Sequence, residues 1–185
     1  MDSYRLVLFL HLCALLGAIG TASLLHFSET RLQAAETIAV MRVWAGLIEK
    51  GSRIFPLALV VLLGSGAYLV HRGWSWSSGW VEASLVGVAV LLLVGAGVVG
   101  ARGRALKLEL AAAAPDGPVG ESLARLAREP VAGIASWTNT GLAIGIVFVM
   151  TTKPALDGSV AALVVATGLG AVVGLRLRQI AARHI

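Results

Sequence analysis

Four histidines, His11, His26, His71 and His184, are the residues of this chain best suited to redox or metal work. A neutral imidazole tolerates an apolar setting and can ligate haem iron or copper. His11 and His26 are fifteen residues apart, which on one helix puts them within about 60° of a common face but roughly 22 Å apart along the axis. They cannot share one metal. His71 falls about 9 Å shallower than His11 at a standard helical rise, and His184 lies in the C-terminal tail, so two bis-histidine haems do not fit. What remains is one haem b or one copper ion on His11, with His71, Tyr68 and Lys153 as neighbours. The plainer reading stays open beside it: His11 hydrogen-bonds across helices, and the other histidines are interfacial.

Other chemistry finds few residues to use. The chain has no glycine-rich phosphate loop, no H-E-x-x-H pair, no G-x-S-x-G elbow and no C-x-x-C. Gly64-Ser65-Gly66 lies inside an apolar run without a partner base and reads as a close-packing point. Cys13 is the single cysteine, which rules out an intrachain disulfide. The most polar and aromatic set is the rim formed by Tyr4, Arg5, His11, Tyr68, His71, Arg72, Trp80, Glu82 and Lys153. Ordinary snorkelling and interfacial anchoring account for that rim as well as a binding site does.

The elements that must hold these residues are membrane spans. Hydrophobic residues make up 57% of the 185-residue chain and charged ones 14%, against about 25% charged in a soluble domain, and the mean hydropathy is +0.85. About 20 apolar residues cross the hydrocarbon core as a helix. Five runs qualify, at 6–27, 54–70, 80–101, 131–151 and 159–175. The expected fold is all-α, a polytopic integral membrane helical bundle in a single domain, with amphipathic cytoplasmic helices between the spans. The first run is read as retained, since no A-x-A-like cleavage site closes it. No Asp, Glu, Lys or Arg lies near the middle of a run, which argues against a proton-driven transporter.

Between the first two runs, Ser28 can cap an amphipathic helix from Glu29 toward Lys50, with Leu32, Ala35, Ile38, Ala39, Val43, Gly46 and Leu47 on its apolar side. The third helix should continue past the membrane to the alanines before Pro115. A short helix at 121–129 then precedes Pro130, which opens the fourth span. With five spans, one side receives twelve basic residues: Arg31, Arg42, Lys50, Arg53, Arg102, Arg104, Lys107, Arg125, Arg128, Arg176, Arg178 and Arg183. The other side receives Arg5, Arg72 and Lys153. The positive-inside rule puts the N-terminus outside and the C-terminus in the cytoplasm, and the expected location is the cell (inner) membrane. Topology thus explains the basic pI near 10.1 without nucleic acid. Gly141 with Gly145, and Gly170 with Gly174, form G-x-x-x-G pairs that let helices approach closely, within the chain or against other subunits.

His11-Leu12, the segment Leu63-Gly64-Ser65-Gly66-Ala67-Tyr68-Leu69 with its loop from Trp74 to Trp80, and Met150-Thr151-Thr152-Lys153-Pro154 together resemble an uncharacterised bacterial family of small predicted integral membrane proteins. The early histidine and late Lys-Pro are more distantly similar to HemJ-type protoporphyrinogen oxidases and to copper-resistance CopD-like membrane proteins. That likeness implies haem or copper at His11 and a functional Lys153; those families carry an aromatic residue about seven positions after the histidine, where this chain has Ala18. Two functions follow as expectations. One is a non-catalytic accessory or assembly component of a membrane complex. The other is a haem- or copper-handling redox protein built on the rim around His11.

Overall fold

Hydrocarbon offers no hydrogen bonds, so an apolar run can cross it only with every amide satisfied internally. The computed structural model describes residues 2–115 and 117–182. Within them it is helical, with one isolated antiparallel bridge between Thr37 and Pro118. Arg183 and His184 lie outside the described residues. Five helical stretches are long and apolar enough to span a membrane: Ser3–Gln33, Ile38–Gly73, Gly79–Ala112, Glu121–Thr152 and Leu156–Ile180. The chain falls into two compact units, Met1–Ser75 with Lys107–Ala127, and Trp76–Leu106 with Arg128–Ile185.

The first unit holds α1 (Ser3–Gln33), α2 (Ile38–Ser52), α3 (Ile54–Gly73), the end of α5 (Gly100–Ala112) and α6 (Glu121–Ala127). Here the expected cap at Ser28 is corrected. The Ser28 hydroxyl donates back to the Leu24 carbonyl at 2.7 Å inside a helix that runs on to Gln33, because Ser28 and Leu32 are buried and keep the last turns packed. Thr37 is the cap instead: its backbone is extended and its hydroxyl accepts from Val40 N–H. The apolar side of α2 differs too. Ile38 and Met41 are buried, whereas Val43 is 67% exposed.

Arg42 does what periodicity could not foretell. Its guanidinium donates to the carbonyls of Leu110 and Ala113, both at 2.8 Å, satisfying acceptors that a helix end leaves without intrahelical partners. Glu49 accepts from Lys107 at 2.8 Å and from Arg53 at 2.7 Å. Lys107 first and Arg53 second hold this carboxyl below its ordinary range. Both bridges are exposed, so they orient the polar helices more than they stabilise them.

The second unit holds α4 (Gly79–Val94), a π-helical segment (Gly95–Val99), the start of α5, α7 (Pro130–Thr152) and α8 (Leu156–Ala182). Pro130 opens α7 at its first turn, where a missing N–H costs nothing, and the Glu129 carboxylate accepts from Val131 and Ala132 N–H. The expected glycine pairs meet here. A Cβ on Gly141 would lie 2.3 Å from the Ala166 carbonyl oxygen, and one on Gly170 2.4 Å from that of Trp137. Gly145 and Gly174 are held nearly as tightly, against Ala166 and Ile134. With no hydrophobic drive between helices in lipid, close backbone approach is what joins α7 to α8.

Gly141→Ala should therefore force the two backbones apart and lower stability by about 2 kcal/mol, whereas Gly168→Ala, whose added Cβ meets nothing within 4 Å, should be neutral or stabilising. Unfolding titrations of both variants in mixed micelles measure the difference.

Candidate functional site

The rim residues divide between the two units. In the first, α1 and α3 run antiparallel: Ser3 meets Tyr68, Tyr4 meets Gly73, and His11 meets Ser65 and Gly66. His11 Nδ1 and the Ser65 hydroxyl are 2.8 Å apart, and a Cβ on Gly66 would lie 3.4 Å from His11 Cε1. Ser65 and Gly66 are thus the surface on which the imidazole rests. The close-packing point expected from sequence also carries the histidine's hydrogen-bond partner.

The Ser65 hydroxyl lies between the His11 imidazole and a backbone carbonyl. The Ser65 hydroxyl has one hydrogen, and it donates to the Val61 carbonyl one turn back. In the tautomer with the proton on Nδ1, the same oxygen accepts from His11 at 2.8 Å and Nε2 keeps its lone pair. A relay from Nδ1–H through Ser65 to Val61 would then orient the ring in the way that outer hydrogen bonds orient metal-ligating histidines. Nε2 is the atom that would hold haem iron or copper.

Tyr68 donates to the Ser3 hydroxyl at 3.0 Å, and the Arg72 guanidinium lies 5.8 Å from the Tyr68 ring centre. His71 is exposed in the last turn of α3, six residues beyond Ser65 and so about 9 Å along the helix from the His11 contact. His11 and His71 are not brought to one point within this unit. Among the described residues, no group of three or more His, Cys, Asp or Glu stands close enough to hold a metal ion. A metal on His11 would therefore have at most one further ligand of that class among the described residues.

Lys153 belongs to the second unit, where it closes α7 in the left-handed region, with φ 50° and its N–H on the Val149 carbonyl at 2.8 Å. A residue before proline is normally pushed to extended backbone, so packing must hold this corner. Lys153 Nζ lies 5.8 Å from the centre of the buried Trp80 ring. The Ser159 hydroxyl donates to the Pro154 carbonyl, and Gly79 presses on Leu156, where a Cβ would come within 2.7 Å of the backbone. Within this unit Lys153 and Trp80 fasten the α7–α8 corner to the start of α4.

A model of the family described as "Predicted integral membrane protein (DUF2269)" matches residues 5–154. The chain belongs to that family. The stretch matched to DUF2269 takes in His11, Tyr68, His71 and Lys153, and it ends at the Lys153-Pro154 corner; α8 follows it. No curated protein and no solved structure matches the chain. Integral membrane character is common ground between the DUF2269 description and the five apolar helices.

Sequence reasoning missed Ser65 as the partner of His11, because the two are 54 positions apart and only the α1–α3 register joins them. The Asn139 side-chain amide likewise donates to the Leu91 carbonyl at 3.0 Å, beside the π-helical segment and 48 positions away in sequence. A double-mutant cycle between His11→Ala and Ser65→Ala, read by unfolding in mixed micelles, should return a coupling of about 1 kcal/mol. Additive effects would mean the pair makes no net bond.

Proposed function

We propose that this protein is a non-catalytic accessory or assembly component of a membrane complex in the bacterial inner membrane, with its N-terminus outside and its C-terminus in the cytoplasm. The orientation rests on the twelve-to-three division of Lys and Arg between the two faces. The role rests on where the polar side chains inside the spans go. His11 is bonded to Ser65, Asn139 to Leu91, and Thr21, Thr138 and Thr140 each to a carbonyl four residues back. The first two bonds join helices, and the three threonines are satisfied within their own helix.

The edge best suited to a partner helix is on α1. Cys13, Gly17 and Gly20 are exposed at helical spacing, and a Cβ on Gly17 or Gly20 would meet nothing within 4 Å. Glycine inside a helix costs about 0.5–1 kcal/mol relative to alanine, and close approach of another helix is what offsets that cost in lipid. Thiol cross-linking through Cys13 in intact membranes should trap a partner helix, another protein or a second copy. Gly17→Leu should abolish both the product and any larger assembly on native gels. A chain that stays monomeric and uncross-linked in its own membranes would count against the role.

A second reading, a haem- or copper-handling redox protein, is favoured by one observation: His11 Nδ1 lies 2.8 Å from the Ser65 hydroxyl, a contact that orients the ring as outer hydrogen bonds orient metal-ligating histidines. The distant likeness read from the early histidine and the late Lys-Pro to HemJ-type and CopD-like proteins points the same way. Protein purified from haem-replete cells should then show a Soret band that disappears in His11→Ala and weakens or shifts in Ser65→Ala. A colourless, copper-free preparation sinks this reading and leaves the accessory role standing.

A further inference from the structure

In the first unit, the end of α1, the turn after it and the start of α2 enclose an open groove of 470 Å³. Phe27 and Trp44 form its aromatic wall, edge to face with ring centres 5.9 Å apart and planes at 80°. Ala34 and Ala35 add apolar lining, and Arg31 and Glu36 are its two charged residues. Arg31 reaches back over Phe27, its guanidinium carbon 5.2 Å from the ring centre. Both charged side chains are exposed, and neither makes an ion pair with another described residue.

The depth of the groove follows from the sequence. The first apolar run ends at Phe27, and Arg31 lies one turn, about 6 Å, beyond it. The aromatic wall therefore sits where acyl chains give way to headgroups, and the two charges sit among the headgroups. The turn is preformed: Ile38 N–H bonds the Gly117 carbonyl at 3.0 Å, and Val119 N–H bonds the Glu36 carbonyl at 3.1 Å. Glu36 is thus carried on backbone that is tied on both sides.

We infer that this groove binds a zwitterionic phospholipid bearing a primary ammonium, phosphatidylethanolamine in class. Arg31 takes the phosphate, Glu36 takes the ammonium, and the Phe27–Trp44 wall takes the start of an acyl chain. An anionic lipid would satisfy Arg31 but face the Glu36 carboxylate. A choline lipid could offer Glu36 charge but no N–H. The inference goes beyond the accessory role and does not depend on it.

The test is native mass spectrometry of delipidated full-length protein given equal amounts of phosphatidylethanolamine, phosphatidylglycerol and phosphatidylcholine, with acyl chains chosen to separate their masses. The ethanolamine lipid should be retained about threefold over each competitor, as one partly screened charge contact allows. Glu36→Gln should erase that preference, Glu36→Asp should keep it, and Arg31→Gln should lower retention of all three lipids about threefold. Millimolar free phosphoethanolamine should not displace the lipid, since it lacks the chain that the aromatic wall covers. Equal retention of the three, a preference for phosphatidylglycerol, a preference that survives Glu36→Gln, or displacement by the free headgroup would each overturn the inference. Both substituted residues are exposed, and unchanged circular dichroism and elution verify that the variants fold.

Discussion

A polar group inside a bilayer must find its partner within the protein, and most of the local structure here follows from that one requirement. Thr21, Ser23, Ser28, Thr30, Ser65, Thr138, Thr140, Thr151 and Thr152 all donate to the carbonyl four residues earlier. Each hydroxyl is absorbed by the helix that carries it, so a serine or threonine crosses the membrane without needing a neighbour. Groups that cannot close on their own helix, the His11 imidazole and the Asn139 amide, reach across to another. They fix register where leucine and valine alone would let helices slide.

The two units solve packing differently. In the second, bare backbones meet at Gly141 and Gly170, and dispersion over a close contact does the joining. In the first, much of the order lies at the polar ends of the helices, where Arg42 caps α5, Glu49 collects Lys107 and Arg53, and Thr37 pairs with Pro118. These contacts sit beside water and are individually weak, but they hold the polar helices in one arrangement.

Spans were legible in the sequence because bilayer thickness sets one length and apolar runs of that length are rare in soluble domains. The G-x-x-x-G pairs were legible because glycine at helical spacing has few other uses in lipid. The end of α1 was not: Ser28 is as good a cap as Thr37 by residue type, and only the burial of Leu32 decides between them. His11 was recognisable as the residue to watch, but its partner was not, since Ser65 sits in a run whose neighbours offer no polar signal. Lys153 stood out by its charge and its proline, yet nothing local foretold a left-handed backbone or a tryptophan beneath its ammonium.

The π-helical segment Gly95–Val99 has a mechanical meaning. Gly100 N–H reaches the Gly95 carbonyl five residues back, while Gly95 N–H is shared between Leu91 and Leu92, so this turn stores one residue more than an α-helix would. In a regular helix, losing a residue rotates everything downstream by about 100°. Here the loss would only tighten a wide turn and leave both flanks in phase. The long helix therefore has a place near its middle where its length can change by one residue without changing which way its ends face.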